Sequence, residues 1–423
     1  MGRGIFNYGT VFPVSNKKYP IPGIDITVRI FPLNTILDIN QLIESNPNLP
    51  PVPPDLMEWP DFHDGVAAGL QISTDYNEVD SAWILYNRPE ELNNQHAGLL
   101  LALGLNGHLK KMVTWNSFVY LTEKHVMTSI ALLLGLAVAN IGSMDLVVTR
   151  LLSIHIPALL PPQSTEPNMP INTRIACIMG IGWLYIGSCH RRMAEVMLGE
   201  IEKVFESQNE LNNNAVSESY SLTAGFALGL ITLGQGDSDN AVCLSDLDIA
   251  NKLRLFIRSR SPSSSAIIAL GLMYLKTNNK MVASYLDLPN KNFSLDSVRA
   301  DYLLLLVLAK NIIMWDFIEP TEEWIKSQIP EFIIDTLEKI NQNEKLLTPS
   351  LKQAYFNIIA GACFTISLRF AGSANQIAYN SLMKYFDMLM TYSNASGKIF
   401  IYNYIIYIYI YLILKLLLQI LTN

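Results

Sequence analysis

Five stretches of this chain share one hydrophobic plan. They are His96 to Gly107 (HAGLLLALGLNG), Met127 to Gly142 (MTSIALLLGLAVANIG), Asn172 to Gly187 (NTRIACIMGIGWLYIG), Ser221 to Gly236 (SLTAGFALGLITLGQG) and Ser264 to Asn278 (SSAIIALGLMYLKTN). Each carries a large-apolar, Gly, large-apolar triplet, centred on Gly104, Gly135, Gly180, Gly229 and Gly271. A helix that is apolar all round must be buried all round, so these stretches predict inner helices whose glycines let neighbours approach closely. They are 12 to 16 residues long, short of the roughly 20 that span a bilayer, which argues against membrane helices.

Most of the runs stop at a glycine, as at Gly107, and then restart on a small polar residue: Gly142-Ser143, Gly187-Ser188, Gly236-Asp237 and Gly372-Ser373. That is the chemistry of a helical hairpin, with glycine in the left-handed conformation and Ser or Asp capping the next helix. The segments after the turns, Asp145 to Leu152 and Met193 to Ile201, space apolar residues at i, i+3 and i+4 with charges between them, which predicts amphipathic outer helices. Turn-to-turn steps of 35, 45, 49 and 42 residues, from Gly107 to Asn278, suit a solenoid of two-helix units. The further 94 residues to Gly372 fit two more units, with Tyr302 to Trp315 and Tyr355 to Phe370 as inner helices.

Both ends depart from the plan. Residues 1–92 are Pro-rich, with Leu49-Pro50-Pro51-Val52-Pro53-Pro54 at the centre, and read as an irregular extended arm or linker. Residues 93–396 hold the repeats, with loops expected at Pro161 to Pro170, Ser207 to Ser219 and Ser259 to Ser265. Residues 397–423 are a low-complexity apolar tail in which Ile405 to Leu412 alternates Ile and Tyr. A membrane anchor and a two-sided strand are two readings of it. The strict alternation favours a third, translation of non-coding sequence at the end of a gene model, because a repeated AT dinucleotide would encode it.

Composition narrows the function. Half of the 423 residues are apolar and 16% are charged, against about 25% in ordinary soluble proteins, which suits a piece of an assembly. A net charge of −7 with interspersed signs disfavours nucleic acid as a partner. Cys177, Cys189, Cys243 and Cys363 form no C-x-x-C pair, and the histidines at 63, 96, 108, 125, 155 and 190 lack metal-site spacing. The start of the chain shows no secretory or myristoylation signal. Gly180 to Gly187 imitates a dinucleotide fingerprint with its third glycine misplaced and no preceding strand; Asp237 to Asn240 begins like a calcium loop, but Val242 and Asp248 stand where Gly and Glu are required. No catalytic, cofactor or metal site is expected. The one compact basic cluster, His190-Arg191-Arg192, could meet an acidic partner on an outer helix or be a solvated helix start.

Longer strings carry a resemblance. The repeats resemble the proteasome/cyclosome repeats. HAGLLLALGLNGHL (His96 to Leu109), TRLLSIHIPALLPP (Thr149 to Pro162), YSLTAGFALGL (Tyr220 to Leu230), YLKTNN (Tyr274 to Asn279) and RFAGS (Arg369 to Ser373) are similar to strings of the large scaffold subunits of the anaphase-promoting complex. So are Gly2-Arg3-Gly4 and FHDGVAAGL (Phe62 to Leu70), and the likeness runs over about residues 2 to 396. It implies an all-α solenoid of two-helix proteasome/cyclosome repeats, a partial toroid, and a partial copy of a longer subunit. The implied role is non-catalytic, in the nucleus and cytoplasm. Implied partners are the cullin and RING pair, the tetratricopeptide subunits, the Doc-domain subunit and the co-activators, with no cofactor. A proteasome regulatory-particle subunit is the alternative in the same fold class, and a membrane-tethered interaction protein the alternative outside it.

Overall fold

The structure is a computed structural model. It describes residues 27–30, 35–38 and 54–396, apart from 76–78, 113, 162, 164–168, 209–214, 237–243, 260–262, 290–297 and 341–348. The tail 397–423, the turn residue Asp237 and most of the Pro-rich arm lie outside the described residues. The chain divides into two compact units, Met1–Glu200 with Leu211–Ile231, and Ile201–Glu210 with Thr232–Asn423.

In the first unit, strands β1 (Thr27–Ile30) and β2 (Thr35–Asp38) pair antiparallel, with Thr27 opposite Asp38 and Ile30 opposite Thr35. Helices follow: α1 (Pro54–Leu70), α2 (Ser81–Tyr86), α3 (Asn94–Leu105), α4 (Thr114–Thr122), α5 (Val126–Ala139), α6 (Leu146–Ser153), α7 (Ile171–Leu184), α8 (Arg191–Gln208, which ends in the second unit) and α9 (Ala215–Ile231). The apolar helices stack neighbour to neighbour in the order α1, α3, α5, α7, α9. The hairpin and helices α1 and α2 stand where the composition predicts an extended arm. Proline opens α1 at Pro54, where its missing N–H costs nothing. The helix continues beyond Pro60, and its small-residue face packs on α3.

The second unit holds α10 (Ile249–Ile257), α11 (Ser264–Met273), α12 (Lys280–Ala283), α13 (Ala300–Ile313), α14 (Glu322–Ser327), α15 (Glu331–Ile340), α16 (Pro349–Arg369) and α17 (Gln376–Ser396). Here α11 stacks on α13 and α13 on α16. Every residue of α11 is buried, as the apolar pattern requires of an inner helix. The helices at Ala300–Ile313 and Pro349–Arg369 match the two inner helices expected there. The expected loop between Ser207 and Ser219 is shorter than read, since α8 runs to Gln208 and α9 starts at Ala215. Apart from the β1–β2 pair in the first unit, each unit is a stack of helices arranged as repeats. Among the described residues no helix is long and apolar enough to cross a membrane.

Candidate interaction surface

The repeat is built on small residues at inner-helix crossings. A Cβ added at Gly104 on α3 would lie 2.3 Å from the Cα of Gly135 on α5, backbone against backbone. At Gly180 it would meet Ala137 and Leu152 near 3.2 Å, and at Gly271 the Cβ of Ala309 at 2.9 Å. Gly229 is buried in α9. Several further glycines sit at equally close crossings, and of these only Gly182, in Ile181-Gly182-Trp183, fits the triplet. Gly65 and Gly69 on α1 face Gln95, Leu99 and Ala102 of α3, while Gly98 faces the carbonyl of Phe62. Gly182 meets Ala227 and Gly361 meets the carbonyl of Leu304. The available signal was small residues four apart, Gly65 with Gly69 and Gly98 with Ala102, a spacing that keeps one helix face flat.

The turns repeat a backbone device that sequence reading located only in part. Gly142 (φ 69°) and Met144 (φ 53°) donate their N–H groups to Trp183 and Leu184 at the end of α7, at 3.1 and 3.2 Å. One repeat later Gly187 (φ 65°) and Cys189 (φ 50°) donate to Leu230 and Ile231 at the end of α9, at 2.8 and 3.0 Å. In the second unit Gly234 and Gly236 donate to Leu272 and Met273 of α11, and Lys276 and Asn278 to Ile312 and Ile313 of α13. Each turn thus satisfies the orphan carbonyls that a helix C-terminus leaves. Gly234 (φ 64°), not Gly236, takes the left-handed conformation expected of that turn; Gly236 lies flat against the Tyr274 ring, where a Cβ would come within 2.6 Å.

Ser143, Ser188 and Ser373 are not the helix caps that their position after glycine suggests. Each donates its hydroxyl to the carbonyl three residues back, at 2.7 to 2.8 Å, and accepts the N–H two residues on. Thr277 does the same. The residue two further on is the cap. Asp145 accepts from Val147 and Val148, Asn279 from Met281 and Val282, Asn375 from Ala378, and His190 Nδ1 from Met193 at 3.4 Å. The shift arises because a second left-handed residue, at Met144, Cys189, Asn278 or Ala374, intervenes. Gly107 (φ 82°) is tied backward instead: Asn106 Nδ2 donates to Gly69 and Ile72, and His108 Nε2 lies 3.1 Å from the Ser73 carbonyl.

The basic cluster is therefore split. His190 is a half-buried cap with its ring edge-on to Tyr185 at 4.9 Å, while Arg191 and Arg192 are exposed and Arg192 reaches Glu195 at 3.5 Å. The other histidines fill turns or packing positions. His96 stacks on the buried Tyr120 and lies 3.1 Å from its hydroxyl, and His125 Nδ1 caps α5. Burial pulls His63, His108, His125 and His155 below the usual histidine value and pushes the Cys363 thiol up to about 12. The Cys177 thiol moves in the same direction for the same reason. Among the described residues no group of His, Cys, Asp and Glu is placed to hold a metal ion.

What the surface offers is repeated first turns of outer helices, exposed beside the hairpins: Leu146 and Val147, Arg191 and Arg192, Met281, and Ile377. Comparison with known proteins places this architecture. Residues 1–141 match the family model described as the APC1 fourth domain and residues 146–405 the one described as the APC1 fifth domain. The junction falls in the turn that ends at the Asp145 cap. Human anaphase-promoting complex subunit 1 is 42% identical over 93% of this chain, and its Schizosaccharomyces pombe counterpart is 43% identical over 94%. A protein of Emericella nidulans described as a negative regulator of mitosis is 38% identical over 93% of the chain. The chain spans 22%, 26% and 19% of the lengths of these three relatives.

Proposed function

The chain belongs to the family of anaphase-promoting complex subunit 1, and from that membership we propose that it is a non-catalytic scaffold within that cell-cycle ubiquitin ligase. In this reading the chain holds in register the cullin and RING pair, the tetratricopeptide subunits, the Doc-domain subunit and the co-activators. Ubiquitin transfer belongs to those partners, and the chain works in the nucleus and cytoplasm with no cofactor of its own. The observation that carries the proposal is the turn-to-helix clamp, in which Gly142, Gly187, Gly234 and Lys276 each fasten a hairpin to the end of the next inner helix. Repeats that depend only on their neighbours leave an extended surface free for several partners at once. Polar side chains serve this stacking: Asp145, Asn279, Asn375 and His190 cap helices, Ser143, Ser188 and Ser373 close turns, and burial raises the pKa of the Cys177 and Cys363 thiols.

Affinity purification of the tagged chain from dividing cells, followed by mass spectrometry, tests this role. Recovery of cullin, RING and tetratricopeptide proteins in comparable amounts is expected. Recovery of proteasomal ATPases instead, or of none of these proteins, would overturn it.

A further inference from the structure

Outer helices of a soluble stack ordinarily turn a polar face to water. Helix α8 does so, burying Met193, Ala194, Val196, Met197 and Ile201 and exposing Arg191, Arg192 and Glu195. Helix α6 does not. Its inward face is Val148, Thr149, Leu151 and Leu152, with the Thr149 hydroxyl 3.0 Å from that of Tyr185. Its outward face is also apolar: Leu146 is 67% exposed, Val147 51% and Ile154 43%, and Met144 of the preceding turn is 43% exposed. These side chains contribute little to the fold that bears them. Apolar residues exposed singly are unremarkable, but a cluster on one helix face marks a contact site.

One cation lies in this face. Arg150 falls between Leu146 and Ile154 at four-residue spacing, is exposed, and has no ion pair among the described residues. The next turn, with its helix start at Arg191, lies alongside, because Gly142 and Met144 are bonded to Trp183 and Leu184, just before Gly187. Arg192 is paired with Glu195, and the Asp145 carboxylate at the head of the helix turns its Oδ1 to the Val147 and Val148 amides. The patch is thus an apolar face with a single cation, Arg150, that has no ion pair among the described residues, on a chain whose net charge is −7.

We infer that the outward face of α6, with Met144 and Arg150, docks an acidic amphipathic segment of another protein, its apolar side chains on Leu146, Val147 and Ile154 and a carboxylate on Arg150. An arginine beside apolar side chains is the composition of an interface hot spot, and the guanidinium fork matches a carboxylate. Nucleic acid fits poorly, since the cations are few and four large apolar side chains would stay wet. The inference extends the scaffold reading by naming the chemistry of one partner contact.

The test places a photo-cross-linking amino acid at Val147 of the full, tagged chain in dividing cells, with the same group at the exposed Leu255 of α10 as a control. The cross-linked peptide is then sequenced. The expected adduct at 147, and not at 255, is a segment of a different protein that carries both apolar and acidic residues. Arg150→Glu should lower its yield about tenfold, as the loss of one charge-assisted contact would, and Arg150→Lys should largely retain it. A basic segment, a second copy of this chain, lipid, nucleic acid, no adduct, or a yield indifferent to Arg150→Glu would each overturn the inference. Purification of the same variants separates this from the scaffold reading. Arg150→Glu should cost one partner and leave the others, whereas failure of the scaffold reading would leave the unaltered chain with none.

Discussion

Gly104 and Gly199 are both helical glycines, and the surroundings of each set the sign of a substitution. A methyl group at Gly104 would collide with the backbone of Gly135, which has no flexible end to move aside. Gly104→Ala is therefore expected to cost about 1–3 kcal/mol through separation of α3 from α5. Gly199 on α8 has no neighbour within 4 Å of an added Cβ, so Gly199→Ala should instead stabilise by about 0.5–1 kcal/mol. Urea midpoints of the two variants read this contrast directly. A second residue-level expectation concerns His155, which is buried with no partner for Nδ1 and whose pKa burial lowers. Below the ordinary value of about 6.5 the unfolded chain binds a proton that the folded chain refuses. His155 thus holds its full contribution to stability above that value, and loses it as the pH falls toward the folded-state pKa. The melting temperature should drop from about pH 7.5 to 5.5, and His155→Gln should shrink that drop. An unchanged pH slope in the variant would contradict this assignment.

The inner helices were legible in the sequence because burial on all sides leaves an unmistakable record: α11 contains no residue that water must solvate. The turns were legible by position and misread in detail. A small polar residue after glycine looks like a cap, but nothing in the sequence announces that Met144, Cys189 or Ala374 will take positive φ and push the cap two residues on. Helix α1 was hidden by the prolines before it, although Gly65 and Gly69 carried the signal of a close crossing. The outer face of α6 escaped because Leu146, Val147 and Ile154 fit a helical period as well as core residues do; only the structure shows which way they point. Two substitutions probe the turns themselves. Ala374→Gly relieves a left-handed residue with an exposed side chain and should stabilise by about 1 kcal/mol. Ser188→Ala removes one hydroxyl's bonds to the Tyr185 carbonyl and the His190 amide and should cost about 1 kcal/mol. Thermal melts of both variants suffice as the readout.

Across each unit, stability is a sum of local terms plus nearest-neighbour clamps, and in the proposed scaffold role such a stack would hold several proteins at once. The central claim is the clamp: turn amides bonded to the carbonyl ends of the next inner helix. Residue-resolved hydrogen exchange on the amides of Met144, Cys189 and Asn278 tests it most directly. They lie in short interhelical turns, where exposed amides exchange fast, yet they donate to Leu184, Ile231 and Ile313 at 3.2, 3.0 and 3.0 Å. Protection within about tenfold of that in the inner helices they join is expected. Exchange at the rate of open loop amides would contradict it.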